Sequence, residues 1–97
     1  MNQDEALKIA KLAMDEQVRR GSRPLRLYGS YTETDRAWIF NYQSAKWVET
    51  DGREELLYGA GPLYVDKNTK KAFFLGTYDI DDVVIRDFER RLDDELS

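Results

Sequence analysis

The stretch that decides the fold runs Ala37-Trp38-Ile39-Phe40-Asn41-Tyr42-Gln43-Ser44-Ala45-Lys46-Trp47-Val48. Trp38, Phe40 and Tyr42 fall on one side of an extended chain, and Ile39, Asn41 and Gln43 on the other. That alternation reads as a long strand, bent near Ala45. Upstream, Leu25, Leu27, Gly29 and Tyr31 alternate with Arg26, Tyr28 and Ser30 as a second strand, and Thr34-Asp35 is the turn between the two. Downstream, Leu63-Tyr64-Val65 and Ala72-Phe73-Phe74-Leu75 make a hairpin around Asp66 to Lys70, with Asn68 suited to the left-handed turn position. Short turns between consecutive strands imply an antiparallel sheet.

Helices flank this middle. Over residues 3–20, Ala6, Ala10, Ala13 and Met14 recur at helical spacing, widened by Leu7, Ile9, Leu12 and Val18. Asn2 or Asp4 caps the start, and Gly21 is a natural stop. Asp79 to Leu96 reads as a second helix, with Val84, Phe88 and Leu92 in line and Asp79 and Asp82 forming an acidic capping box. Between the second strand and the hairpin, Glu49 to Pro62 is irregular, with a turn at Asp51-Gly52 and one helical turn expected at Leu56-Leu57-Tyr58. The expected fold is α+β: an N-terminal helix packed on a four-stranded antiparallel sheet, with a C-terminal helix, in the order α-β-β-β-β-α. It is read as one domain over residues 1–97. The first helix is expected to cover Leu25, Leu27, Phe40, Leu63 or Val65, and Phe73 or Leu75. The opposite face then carries Tyr28, Ile39, Tyr64 and Phe74. If the last helix leaves that face open, it is an adhesive surface.

Composition excludes much chemistry. The 97 residues include no His and no Cys, which removes imidazole bases, thiolate nucleophiles, disulfides and zinc or iron–sulfur ligation. The serines have no histidine to activate them, and no spacing points to a Ser–Lys or paired-carboxylate site, so no enzyme activity, no cofactor and no metal are expected. Asp79-Ile80-Asp81-Asp82 lacks the later ligands and the glycine of a calcium loop. Gly59-Ala60-Gly61-Pro62 lacks the ending of a phosphate loop and leads into a strand. Fifteen basic residues against nineteen acidic ones leave a net charge of −4, which does not favour nucleic acid. No apolar run reaches the roughly 20 residues of a membrane span, and the N-terminus does not read as a signal peptide, so a cytoplasmic protein is expected. The charge is uneven: residues 79–97 hold eight acids and three bases. Twelve per cent aromatic residues is enough to supply a core and leave anchors for an interface, and Trp47 and Tyr58 flank the irregular segment.

From Trp38 to Thr77 the chain carries an ordered set of features. It reads Trp38-x-Phe40-x-Tyr42, then Trp47-Val48-Glu49-Thr50, then Gly59-Ala60-Gly61-Pro62-Leu63-Tyr64-Val65-Asp66-Lys67, and last Phe74-Leu75-Gly76-Thr77. This set resembles the immunity protein 35 family, also called YrhB-like. It departs at Lys70-Lys71, where the hairpin turn of relatives often has Gly. The resemblance implies a bacterial protein that binds a cognate toxin of a polymorphic toxin system and neutralises it by occlusion, with peptidase-type toxins among the partners. It implies no catalytic residues. The two surfaces expected to contact the toxin are the Glu49–Gly61 segment with its neighbours (Trp47, Glu49, Asp51, Glu54, Glu55 and Tyr58) and the acidic helix (Asp81, Asp82, Glu89 and Asp93). The alternatives are a chaperone-like or self-associating binding domain that uses the open sheet face, and an accessory domain that binds a small molecule or peptide between helix and sheet. A monomer and a homodimer paired through an edge strand both remain open.

Overall fold

A computed structural model of the chain describes residues 1–56, 61–75 and 82–96, with the side chains of Asp82 and Leu96 outside the description. Asn2 begins α1 (Gln3–Arg19): its Oδ1 accepts from the Glu5 amide at 2.9 Å, and Asp4 and Glu5 lie in the positive first turn. The other end closes at Gly21, whose φ of 108° is in the left-handed region. There Ser22 N donates to Gln17 O and Gly21 N to Val18 O, each at 3.0 Å, which is the paired bonding of a Schellman stop. Ala6, Ala10 and Met14 form the buried stripe of α1. Two alanines in that stripe let the helix axis approach the sheet closely.

The sheet contains β1 (Leu25–Glu33), β2 (Ala37–Ser44), β3 (Leu63–Asp66) and β4 (Ala72–Phe74), antiparallel throughout and in chain order. Cross-strand partners share a face, so the register assigns the layers. Trp38 pairs with Val65, Phe40 with Leu63, and Leu63 with Phe74. With Tyr42, Leu25 and Leu27 these residues pack under α1. Ile39 pairs with Tyr64, and Tyr64 with Phe73, on the other face. There α3 (Asp82–Leu96) lays Leu92, Phe88 and Ile85 against Ala37, Ile39 and Tyr64. Tyr64, Phe73 and Phe88 meet edge to face, with centroids 4.7–6.4 Å apart. All four residues of β3 are buried because helices cover both faces.

Three expectations change. The long strand stops at Ser44, and Ala45–Glu49 is a short helix, α2. Ser44 Oγ accepts from Trp47 N at 3.1 Å, so a side-chain cap overrides the strand propensity of Trp47 and Val48. In the hairpin, Phe74 and not Phe73 lies under α1, while Phe73 and Leu75 face α3. A run of four apolar residues leaves the phase open, and register decides it. The left-handed turn position is Lys70, with φ of 60°, not Asn68. Buried Asp66 organises that turn: its Oδ2 accepts from both Thr69 N and Thr69 Oγ1 at 2.8 Å. The opposite sheet face, whose cover the sequence left undecided, is covered by α3 at Ile39 and Tyr64; Phe74 belongs to the other face, and Tyr28 is the exposed member. Of the helical turn expected at Leu56, Leu57 and Tyr58 only Leu56 is described, and the helix cap expected at Asp79 lies outside the described residues.

Candidate partner interface

The segment after β2 is built from Ser44 outward. Fully buried Ser44 caps α2 and donates from Oγ to the Glu55 carbonyl at 2.7 Å, tying both ends of the 45–55 segment to one hydroxyl. Helix α2 ends in a second Schellman arrangement: Gly52 N donates to Trp47 O at 2.8 Å, and Asp51 N to Val48 O at 3.4 Å. The residue that takes the left-handed conformation there is Asp51, with φ of 53°, followed by Gly52 at 88°. Glu55, at 57°, is left-handed as well. Non-glycine residues in this region are strained by roughly 1–2 kcal/mol each. The loop is held in shape by Thr50, whose Oγ1 donates to Lys46 O at 2.7 Å and accepts from Glu54 N at 3.1 Å.

This scaffold presents Glu49, Asp51, Glu54 and Glu55 to solvent beside a half-buried Trp47. The Trp47 ring meets Tyr28 of β1 edge-on at 5.0 Å, and its other edge lies 3.5 Å from where a Cβ on Gly52 would sit. Two arginines touch the acids loosely, Arg26 to Glu49 at 3.5 Å and Arg23 to Glu55 at 3.9 Å. Exposed pairs at such distances contribute about 0–1 kcal/mol and leave the carboxylates available. Tyr58 lies outside the described residues.

The acidic helix is different. Glu89 is only 17% exposed; it accepts from Tyr64 Oη at 2.6 Å and lies 3.4 Å from the Arg36 guanidinium. Asp93 takes a two-pronged contact from Arg36 at 2.8 and 3.1 Å. The hydrogen bonds from Arg36 hold the Asp93 carboxyl below its ordinary range, and the same contact raises Arg36. Burial, and then the bond to Glu89, push the Tyr64 phenol up. Glu89 and Asp93 therefore fasten α3 to the sheet. Asp82 opens α3 with its side chain undescribed, and Asp81 lies outside the described residues.

The two groups of candidates are not one site. Arg36 precedes β2 and α2 follows it, so they lie at opposite ends of an eight-residue strand, roughly 25 Å apart. The sequence reading missed Arg36 and the Tyr28–Trp47 contact. Nothing local marks Arg36, because its partners are more than fifty positions away. Tyr28 was legible as a face residue and not as a ring partner. Among the described residues, no three acidic side chains are grouped so as to hold a metal ion, and no helix is long and apolar enough to cross a membrane.

No curated protein and no solved structure matches the chain. The family profile described as Immunity protein 35 matches residues 4–82, which takes in all but the first residue of α1, the whole sheet and the α2 loop. The chain belongs to the immunity protein 35 family.

Proposed function

We propose that this protein binds a cognate bacterial toxin in the cytoplasm and neutralises it by covering the toxin's working cleft. The observation that carries the reading is the family membership over residues 4–82. The α2 loop is the contact surface it favours. Trp47 supplies an aromatic anchor, and Glu49, Asp51, Glu54 and Glu55 form an acidic rim held in a strained, preset shape. Tyr58, outside the described residues, is a further contact residue in this reading. Asp81, Asp82, Glu89 and Asp93 contribute a field that speeds encounter with a basic toxin, acting over distance where contact is already taken up by Arg36. The reading needs no catalytic group, since inhibition follows from occlusion. A peptidase-type toxin is the class that the resemblance names, and residues 1–97 act as one binding unit.

The test is an inhibition titration against the toxin domain encoded beside this gene. The expected result is loss of toxin activity at one equivalent. Charge reversal at Glu49, Asp51, Glu54 and Glu55 together should slow association at least about tenfold, with a weaker dependence on salt. Full toxin activity at a several-fold excess of the protein would overturn the reading.

A further inference from the structure

A groove between α1 and β1 is left unused by the α2 loop surface. Among the described residues, strand β1 is a sheet edge, bonded only to β2. Pro24 O accepts from Ala45 N, and Thr34 N donates to Ala37 O, each at 2.8 Å. These two bonds place the even-numbered residues of β1 in hydrogen-bonded pairs with β2. Antiparallel alternation then turns the N–H and C=O groups of Leu25 and Leu27 outward, away from the sheet. Beside this free edge, Gln3, Leu7, Lys11 and Met14 of α1 face the odd-numbered residues of β1 across two cavities that share Leu27. One has a volume of about 410 Å³ and is floored by Leu7, Leu27 and Phe40; the other, of about 360 Å³, lies between Met14, Lys11, Asp15, Leu25 and Arg26, so that two cations and one carboxylate line it.

A bulge opens the first cavity. Between the pairs Tyr28↔Asn41 and Thr32↔Ile39, three residues of β1 stand opposite Phe40 alone. Two extra residues preserve the alternation, so Tyr31 still lies over Trp38 and Phe40, at 5.4 and 6.0 Å. Gly29, with φ of 66°, makes the turn outward, and Asn41 Nδ2 holds Ser30 O at 3.2 Å. The charge at the other end is unlike that of the whole chain. Residues 8–26 contain six bases and two acids in a protein of net charge −4. Glu16 is taken by Arg19 and Arg20, at 2.6 and 3.2 Å. Lys11 makes no ion pair among the described residues, and the contact of Arg26 to Glu49 is long.

We propose that the β1 edge accepts an extended segment of a partner polypeptide as a fifth strand, with alternate apolar side chains in the two cavities and an acidic residue at the Lys11–Arg26 end. Main-chain bonds to Leu25 and Leu27 supply affinity, and the cavities supply selectivity. A second copy of this chain fits poorly. Pairing two β1 strands through their regular halves would crowd Lys11, Arg23 and Arg26 of both copies into one seam. The proposal does not require the partner to be a toxin.

The experiment selects random heptapeptides displayed on phage against the intact protein, then studies one enriched sequence as a synthetic peptide. Enriched sequences should alternate apolar residues and carry an acid at one end. Bound peptide should slow amide exchange at Leu25 and Leu27, and methylating alternate peptide nitrogens should weaken binding at least about tenfold. Lys11→Glu, an exposed change that leaves the melting temperature in place, should weaken binding about fivefold. The proposal is overturned if no sequence is enriched, if methylation has no effect, or if exchange slows elsewhere. A free protein that sediments as a dimer with β1 already protected overturns it too.

Discussion

Asp51→Gly should make the protein more stable and a weaker binder. Asp51 is the left-handed residue that ends α2, with φ of 53°, and its carboxylate points to solvent. An L-residue in that region is strained by roughly 1–2 kcal/mol, although Asp tolerates it better than most. Glycine relieves the strain but gains backbone freedom in the unfolded chain, a cost of about 0.5–1 kcal/mol. The net is a gain of about 0.5–1 kcal/mol, or roughly 2–8 °C in melting temperature for a chain of this size. Asp51→Asn separates the two effects: it keeps a side chain that tolerates the left-handed region and removes only the charge. Its melting temperature should stay within about 2 °C of the parent, while its affinity for the toxin falls as far as that of the glycine variant. Calorimetry and titration on the three proteins make the comparison. If Asp51→Gly melts below the parent, the left-handed cap is not where the loop is strained, and the argument for a preset acidic loop fails with it.

Tyr64→Phe removes the phenol that donates to Glu89 at 2.6 Å and leaves the ring stack intact; it should cost about 1.5–2 kcal/mol in urea unfolding without changing the outer surface. Ser44→Ala cuts both the α2 cap and the tie to Glu55, for a loss of about 1–2 kcal/mol and faster amide exchange confined to residues 45–56. The pH profile of the melting temperature should show a plateau with two shoulders. Glu5 and Asp93 are held below the ordinary carboxylate range by Lys70 and Arg36, so the stability they contribute is present above about pH 4 and is lost as pH falls through their lowered values. Tyr42 and Tyr64 are raised by burial, so theirs is present below about pH 10 and is lost as pH rises toward the raised values. Asp93→Asn should remove part of the acid shoulder and leave the alkaline one.

The sheet was legible because β1 and β2 alternate over many residues, and α1 because Ala6, Ala10 and Met14 recur at helical spacing. What escaped was decided by single hydrogen bonds or by distant partners. Trp47 and Val48 carry strand propensity, yet one serine hydroxyl turns them into a helix. Ala72 to Leu75 is apolar throughout, so only pairing with β3 assigns Phe74 to α1 and Phe73 to α3. Lys70 takes the left-handed turn position because Asp66 closes the turn onto Thr69, a choice that residue type alone gave to Asn68. The acids of α3 read as a solvated or partner-facing surface, since a charge pattern along one helix does not reveal an arginine waiting in the turn between β1 and β2.

That last point changes how mutations in the acidic helix must be interpreted. Glu89 is bonded to Tyr64 and lies beside Arg36, which also grips Asp93, so reversing either charge places a cation against Arg36 and loosens α3 over Ile39 and Tyr64. Reduced toxin binding by Glu89→Lys would therefore follow from damage to the fold as readily as from a lost contact. The α2 loop has no such ambiguity. Among the described residues its acids form ion pairs only with Arg23 and Arg26, at 3.9 and 3.5 Å, and reversing them leaves the core untouched. Arg26 also lines the positive end of the β1 groove, so the loop and the groove compete for it. An acidic strand seated beside Arg26 draws it away from Glu49 and frees that carboxylate for a basic partner. The two surfaces are then linked by shared charge, and occupancy of one should strengthen the other, an effect that added salt diminishes.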